Sequence, residues 1–169
     1  LEGTNIKLAD TRKTTPGLRI FEKYAFKCGG GVNHRMGLYD AAMIKENHIA
    51  WTDNLNNAVK KIRLNSPYTT HIIIEAENIE QAKEAVLAGA DSVLLDELSP
   101  EIIKKNVQEL RDLSMNSLKK EVNKNLIIEV SGINPEEISK YLIKGIDLIS
   151  TSSSITKSNW IDLSMRYIN

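Results

Sequence analysis

Short apolar runs alternate with segments of helical periodicity along the chain. The runs lie at positions 5–9, 42–45, 72–75, 92–95, 126–130 and 147–150. Within each run the apolar residues are mostly consecutive rather than alternating with polar ones, which is typical of strands buried on both faces of a parallel sheet. The pattern therefore predicts about six parallel strands, with a connecting segment between each strand and the next.

Four of the connecting segments carry signals for helices. Asn78 and Gln81 have the spacing of a capping box, and Gly89 follows the last apolar turn of the same segment. Asn134 is placed as a cap, with Pro135 in the first helical turn. The four predicted helices begin at Asp53, Asn78, Ser99 and Asn134, and the first of them extends to Asn65. The repeated strand–helix order predicts an α/β fold.

A parallel sheet of this kind either curls towards a barrel or stays open as a doubly wound sheet. Polar residues end the six runs in turn: Asp10, Lys45, Glu75, Asp96, Ser131 and Ser150. A barrel gathers the carboxyl ends of its strands around one mouth, whereas a doubly wound sheet concentrates them near a single switch point. We therefore expect one domain over residues 1–169, an incomplete, open β/α barrel of about six parallel strands that is similar to a TIM barrel.

The composition excludes several classes of protein. The 22 basic and 22 acidic residues balance, whereas a protein that binds nucleic acid usually has a basic excess. No apolar run approaches the roughly 18 residues that cross a bilayer, so we expect no membrane span. Cys28 is the only cysteine, which excludes an internal disulfide and fits a cytoplasmic protein. We expect its side chain to pack rather than to react.

The densest group of polar residues follows the first predicted strand. Arg12 and Lys13 lie in a loop that is rich in threonine and ends at Gly17. A guanidinium offers a planar pair of donors to a carboxylate or phosphate, and an ammonium offers a compact charge. The loop therefore suits an anionic ligand, although a solvated loop at the rim of a barrel is an equally simple interpretation.

Three more basic residues follow within the first third of the chain. Three glycines at 29–31 precede His34 and Arg35, and Lys45 ends the second apolar run. Glycines let the backbone turn sharply or approach a ligand, and a lysine at the carboxyl end of a barrel strand points towards the mouth. The sequence leaves open a flexible turn and a lysine that extends outwards instead.

Carboxylates end the next two predicted strands. Glu75 and Asp96 hold these positions, with Glu77 and Glu97 close by. Two carboxylates at one mouth can bind sugar hydroxyls, hold a hydrated Mg²⁺ or stabilise a developing positive charge, or they can simply balance neighbouring cations. Small residues follow the last two strands, where exposed amides suit a phosphate. These are Ser131, Gly132, Ser152 and Ser153.

Taken together, these segments resemble the quinolinate phosphoribosyltransferases, also called carboxylating nicotinate-nucleotide pyrophosphorylases. The stretches DTRKTTPGLR at 10–19 and GGGVNHRMGLYD at 29–40 are similar to that family's signatures. IKENHI at 44–49, EAEN at 75–78 and LD at 95–96 follow in the same order. The resemblance runs from Asn5 to Tyr167 and identifies the chain as the carboxyl-terminal barrel domain of such an enzyme.

The resemblance implies a reaction and a role for each candidate residue. Phosphoribosyl passes from phosphoribosyl pyrophosphate to quinolinate with Mg²⁺ as cofactor, and pyrophosphate and carbon dioxide leave nicotinate mononucleotide. The implied catalytic residues are Lys13, Lys45, Glu75 and Asp96. Lys13 reaches phosphoribosyl pyrophosphate, while Glu75 and Asp96 bind the ribose hydroxyls directly or through Mg²⁺. The quinolinate carboxylates are assigned to Arg12, His34, Arg35 and Lys45, and the 5′-phosphate to Ser131, Gly132, Ser152 and Ser153.

The chain departs from the family pattern at three points. Ile133 stands where the family usually continues a Ser-Gly-Gly turn, the loop at 151–154 lacks a glycine, and Lys157 stands where a histidine is common. All three departures fall in the phosphate-binding half.

The resemblance also implies an assembly. We expect the family's amino-terminal domain to be absent from this chain. In family dimers that domain supplies a basic residue to the neighbouring active site, so the isolated domain can be inactive. We expect a homodimer or a higher homo-oligomer for the full-length protein.

Two other functions fit part of the same pattern. One is a related enzyme with a different acceptor, such as the pyrophosphorylase-like proteins associated with molybdate transport, and the set Arg12, Arg35 and Lys45 argues against it. The other is a non-catalytic barrel that binds phosphorylated ligands. Glu75 and Asp96 argue against that barrel, because phosphate binding alone does not need them.

Overall fold

Six parallel strands form a single sheet in the computed structural model, which describes residues 1, 3–52, 54–117, 125–159 and 161–168. The strands are β1 (Lys7–Ala9), β2 (Ala41–Ile44), β3 (His71–Ala76), β4 (Ser92–Asp96), β5 (Ile127–Ser131) and β6 (Leu148–Ser150). Their order across the sheet is β1-β6-β5-β4-β3-β2. Among these strands β1 and β2 are the two edges, so the barrel is open between them, as the sequence predicts.

Helices fill the connections between the strands, and the last helix follows β6. They are α1 (Arg19–Cys28), α2 (Glu46–Ala50), α3 (Leu55–Asn65), α4 (Ile79–Leu87), α5 (Pro100–Ser117) and α6 (Ser153–Thr156), with a 3₁₀ helix at Pro135–Tyr141. Within the described ranges, none of these helices combines the length and apolar content that a membrane span requires.

The two faces of the sheet have different chemistry. Ile72, Ile74 and Ala76 of β3 are buried against the helices, in a core that also takes in residues of β4, β5 and β6. The alternate residue Ile73 belongs to a second, smaller apolar cluster. That cluster lies on the inner face of the sheet and consists of Ala41, Ile73 and Leu94, with Met43 packed against it. Because side chains alternate along a strand, Glu75 and Asp96, two positions after Ile73 and Leu94, share this inner face. The inner face therefore becomes polar at the carboxyl ends of the strands.

The six strands and four predicted helices are confirmed, with differences at their ends. The first strand is shorter than the run at 5–9, and the predicted helix after Asn134 is a 3₁₀ helix. The predicted start at Asp53 lies outside the described residues, and Asn54 caps α3 by accepting a hydrogen bond from the Asn57 amide at 3.1 Å. Asn78 accepts from the Gln81 amide at 2.9 Å, as its spacing predicts.

Helix α1 is absent from the sequence-based prediction, because its apolar side chains face the solvent and a charged side chain faces the interior. Ile20, Phe21 and Tyr24 are exposed on it, whereas the ammonium-bearing Lys23 is fully buried. A search for an apolar stripe towards the core therefore finds no such helix. Cys28 at the end of α1 is exposed, so the expectation that its side chain packs is wrong.

Lys23 is buried because it meets a buried carboxylate at the end of β1. Its Nζ forms an ion pair with Asp10 Oδ1 and donates to the backbone oxygen of His34 at 3.0 Å. Asp10 accepts further hydrogen bonds from Asn33 Nδ2 at 2.7 Å and from the His34 amide at 2.8 Å. The pair therefore joins β1, α1 and the segment that carries His34.

Removing one charge of this pair tests its structural role. Replacing Lys23 by methionine leaves Asp10 buried without its cation, and we expect the free energy of unfolding to fall by about 3–5 kcal/mol. Urea denaturation measures the change. Lys27→Met on the exposed side of α1 is the matched control, and it should change stability by less than about 0.5 kcal/mol. Equal effects of the two substitutions would show that the buried pair contributes nothing beyond helix propensity.

Candidate functional site

The carboxyl ends of the strands surround a pocket of about 490 Å³. Side chains from β2, β3, β4, β5 and β6 line it, together with the loops that follow β1 and β6. All eleven residues predicted from the sequence are among its lining residues: Arg12, Lys13, His34, Arg35, Lys45, Glu75, Asp96, Ser131, Gly132, Ser152 and Ser153. The structure thus brings the candidates together, while their individual roles stay predictions.

Hydrogen bonds from the Arg19 side chain support the loop that carries Arg12 and Lys13. The Arg19 guanidinium donates to the backbone oxygen of Arg12 at 3.3 Å and to Thr14 Oγ1 at 3.1 Å. It also donates to the backbone oxygen of Met36 at 3.4 Å. Arg19 lines the pocket as well, although the sequence pattern gives it no role. Its bonds to backbone oxygens show that it supports the loop.

Arg35 reaches across the open side of the barrel. Val32, in the same segment, forms a bridge with Ala9 of β1, whereas the Arg35 guanidinium donates to the backbone oxygen of Ala41, the first residue of β2, at 3.0 Å. Burial lowers the pKa of Arg35, and the nearby Arg12 lowers it further, while Glu75 opposes the shift. Two neighbouring guanidinium groups, one of them partly desolvated, favour the binding of an anion between them.

The acidic side of the pocket centres on Glu75. Lys45 Nζ lies 2.5 Å from Glu75 Oε2. Burial nevertheless raises the pKa of Glu75, and Asp96 adds to the shift, although Lys45 lowers it. Asp96 in turn accepts a hydrogen bond from the hydroxyl of Ser131 on the next strand. Lys45 is thus the point where the cationic and acidic sides of the pocket meet.

A tight turn after β5 holds the serine beside Asp96. Gly132 has a φ of +70°, and a Cβ at this position would lie 2.9 Å from the Glu97 amide nitrogen and 3.0 Å from Asp96 Oδ1. Glu97 itself has a φ of +55°, which is rare for a residue with a side chain. The ends of β4 and β5 therefore approach more closely than any residue but glycine permits.

The serine-rich loop after β6 leads directly into α6. Ser152 precedes the helix, and the amide of Ser153 donates to Thr151 Oγ1 at 3.1 Å. That amide is therefore already used within the loop, which modifies the expectation that exposed amides here would hold a phosphate. The backbone of Thr151 donates to the oxygen of Ala9 at 3.0 Å and ties the loop to β1.

Sequence reasoning overlooks a carboxylate deeper in the pocket. Glu129 lies within β5 and is 1 % exposed, and its Oε2 is 3.3 Å from His34 Nε2. The only signal for it is a charged residue inside the apolar run at 126–130. A search for candidates at the ends of strands passes over this residue, because it stands inside a strand.

The fold and the pocket define an open α/β barrel whose mouth carries both cationic and acidic side chains. A family model described as the quinolinate phosphoribosyl transferase C-terminal domain matches residues 1–166. The chain belongs to this family.

Individual relatives agree with the family match. A probable carboxylating nicotinate-nucleotide pyrophosphorylase from Synechocystis is 38% identical over 163 residues, which cover 96% of this chain and 52% of the relative. Its counterpart from Methanothermobacter thermautotrophicus is 42% identical over 161 residues, with coverages of 95% and 55%. The chain therefore spans about half the length of the curated relatives it matches.

Solved structures of the family share the fold. NadC from Streptococcus pyogenes superimposes with a TM-score of 0.82 at 38% identity, covering 96% of this chain and 53% of that one. A NadC deletion mutant gives a TM-score of 0.83 at 38% identity, with coverages of 98% and 55%. The open barrel is thus the fold of this family.

The close approach at Gly132 can be tested against a second glycine of similar backbone conformation. We expect Gly132→Ala to lower the free energy of unfolding by about 1–3 kcal/mol, and to lose more than Gly89→Ala. Gly89 has a φ of +87°, and a Cβ added there would meet nothing within 4 Å, so its substitution isolates the cost of the left-handed backbone. Thermal or urea unfolding of the two variants measures the difference. Equal losses would mean that the ends of β4 and β5 have room to move apart.

Proposed function

We propose that this chain is the barrel half of an enzyme that transfers phosphoribosyl from phosphoribosyl pyrophosphate to quinolinate with decarboxylation. The products are nicotinate mononucleotide, pyrophosphate and carbon dioxide, a reaction of NAD biosynthesis. The observation that supports this most strongly is the division of one pocket into a cationic side, with Arg12 and Arg35, and an acidic side, with Glu75 and Asp96. The reaction joins a dianionic acceptor to a sugar that becomes positively charged, and it needs both sides.

The cationic side fits the acceptor. Quinolinate carries two carboxylates on adjacent ring carbons, and planar guanidinium groups bind carboxylates through paired hydrogen bonds. We assign the carboxylates to Arg12, Arg35 and Lys45, with His34 beside them. The lowered pKa of Arg35 supports this assignment. Burial and the nearby Arg12 disfavour the charged form of Arg35, and a bound carboxylate would stabilise that form.

The donor then occupies the acidic side and the turns beyond it. Glu75 and Asp96 bind the ribose hydroxyls, and Lys13 contacts the pyrophosphate. The 5′-phosphate lies against Ser131, Gly132, Ser152 and Ser153, where small residues leave room for it. The hydroxyl of Ser153 is the more suitable donor there, since its amide is already bonded to Thr151.

The same groups supply the catalysis. As pyrophosphate leaves, the sugar develops charge similar to that of an oxocarbenium ion, as in glycoside cleavage. The carboxylates of Glu75 and Asp96 stabilise this charge, while the cations hold quinolinate in line and neutralise the leaving group. Once the ring nitrogen carries the ribosyl group, its positive charge stabilises the carbanion that remains when the C2–carboxylate bond breaks and carbon dioxide leaves. A proton from water then takes the place of the lost carboxylate, so that step needs little from the protein.

Mg²⁺ fits this site only together with the substrate. Within the described ranges, no group of three or more His, Cys, Asp or Glu side chains is arranged to hold a metal ion. Mg²⁺ commonly keeps several waters and binds through one or two carboxylates and substrate phosphates, which Glu75 and Asp96 can provide through water. When bound, the ion would neutralise charge on the pyrophosphate.

We extend the proposal to a homodimer or a higher homo-oligomer in the cytoplasm. The exposed side chains of Ile20, Phe21 and Tyr24 on α1 form an apolar surface that supports self-association. An exposed, single Cys28 fits a reducing compartment.

The acceptor assignment predicts a selective effect at Arg35. Lysine keeps the charge but loses the planar fork, so Arg35→Lys should weaken quinolinate binding about tenfold, the scale of one charge-assisted hydrogen bond. Isothermal titration calorimetry measures it, with the exposed Arg166→Lys as the matched control. Unchanged quinolinate affinity would remove Arg35 from the acceptor site and favour a different acceptor.

The enzyme itself is tested by turnover. Asp96→Asn preserves size and removes the charge, so we expect turnover to fall by roughly 10²–10³, the scale of one lost electrostatic contact to a transition state. Quinolinate binding should change much less. The assay follows nicotinate mononucleotide made by the full-length protein at saturating Mg²⁺, with Asp112→Asn on the exposed side of α5 as the control. Normal turnover of the Asp96 variant would contradict the assignment. A full-length wild type that binds both substrates without turnover would favour the non-catalytic barrel that binds phosphorylated ligands.

A further inference from the structure

One buried carboxylate of the pocket has no role in the chemistry proposed above. Glu129 is 1 % exposed within β5 and contributes to the lining of the pocket. Its Oε1 is the single buried side-chain nitrogen or oxygen atom without a hydrogen-bond partner in the described part of the chain. Leaving a buried acceptor without a donor costs stability, so such an atom calls for an explanation.

The register of the sheet fixes the depth of Glu129. Glu75 pairs with Leu94, and Leu94 pairs with Glu129, so the two glutamates occupy one layer of the inner face on either side of a leucine. Asp96 and Ser131 pair with each other two residues further along, nearer the mouth. Glu129 therefore lies in a deeper layer than Asp96, at the inner end of the pocket.

His34 occupies the other oxygen of Glu129. His34 Nδ1 accepts a hydrogen bond from the Arg35 amide at 2.8 Å, so in the neutral ring the proton is on Nε2. Nε2 then donates to Glu129 Oε2 across 3.3 Å. One carboxylate oxygen is thus satisfied by the protein, and the second is available as an acceptor.

The chemistry of the two substrates selects the donor. Ionised quinolinate has no hydrogen-bond donor, and neither do the ionised phosphate groups of the second substrate. The ribose hydroxyls of phosphoribosyl pyrophosphate are the donors that the two substrates bring. A hydroxyl that reaches the deep end of the pocket can therefore satisfy Oε1.

We propose that Glu129 is a further ligand-binding residue. Its Oε2 accepts a hydrogen bond from His34 and orients that ring, and its Oε1 accepts a hydrogen bond from a sugar hydroxyl of phosphoribosyl pyrophosphate. This role rests on the proposed function. It makes Glu129 a determinant of specificity for a hydroxylated ligand, since a fully ionised phosphate without a sugar has no hydrogen-bond donor.

Glu129→Gln tests the proposal, because the two possible effects of the substitution have opposite signs. Removing a negative charge alone should tighten the binding of every anion to the pocket. Losing a charged acceptor for a hydroxyl should instead weaken phosphoribosyl pyrophosphate about tenfold. Calorimetry in the presence of Mg²⁺ should show that loss, with the binding of inorganic pyrophosphate unchanged or tighter. Quinolinate binding should be retained, since the glutamine oxygen can still accept from His34.

Two further variants complete the design. Glu129→Asp keeps the charge but withdraws the oxygen by one methylene, so it should also weaken phosphoribosyl pyrophosphate, and it provides a second test if the glutamine variant does not fold. Glu84→Gln, on the exposed side of α4, removes a charge far from the pocket and should bind like the wild type.

The outcomes separate this inference from the function on which it rests. Phosphoribosyl pyrophosphate binding that is unchanged or tighter in both Glu129 variants overturns the role of Oε1 and leaves the proposed function intact. Equal losses for quinolinate and phosphoribosyl pyrophosphate also overturn it, since Glu129 then acts only through His34. A full-length wild-type protein that binds neither substrate overturns the proposed function, and the assignment of Glu129 with it.

Discussion

The buried ion pair of Asp10 and Lys23 is the interaction on which the rest of the site depends. Asp10 directly follows β1, and its two oxygens accept hydrogen bonds from Lys23, Asn33 and the His34 backbone. Burying a charged pair is costly, and it is tolerated only where further hydrogen bonds satisfy both partners. Here those bonds fix the segment from Asn33 to Arg35, so the position of His34 and Arg35 follows from a carboxylate that is not among the residues lining the pocket.

The open side of the barrel is the second constraint. β1 and β2 are the edges of the six-stranded sheet. The segment after α1 spans the gap between them, because Val32 forms an isolated bridge with Ala9 of β1 and the Arg35 guanidinium donates to the oxygen of Ala41 in β2. A group that bridges two edges in this way is partly desolvated, and burial lowers its pKa. Arg35 therefore covers part of the gap between the two edge strands and also presents a partly desolvated cation, which a bound anion would stabilise.

The acidic side shows the corresponding compromise between stability and binding. Burial raises the pKa of Glu75 although Lys45 is 2.5 Å away, so folding disfavours its ionised form. The folded protein favours protonated Glu75, and this preference contributes to stability at acidic pH. The contribution is lost as the pH rises through the raised pKa of Glu75. The raised pKa of Glu75 and the unpartnered oxygen of Glu129 both indicate that the inner face is arranged for a ligand rather than for the stability of the empty barrel.

The order of strands and helices, the open barrel and most residues at its mouth follow from the amino-acid sequence alone. Consecutive apolar runs report strands buried on both faces, and the polar residue after each run reports the end where those strands meet. Which side chains form hydrogen bonds or ion pairs with one another, in contrast, is visible only in the folded chain. Helix α1 escapes prediction because its core contact is the ammonium of Lys23, and Glu129 escapes because one charged residue within an apolar run looks like an ordinary strand position. Both depend on partners distant in the sequence, Asp10 and His34, and local periodicity carries no information about such contacts.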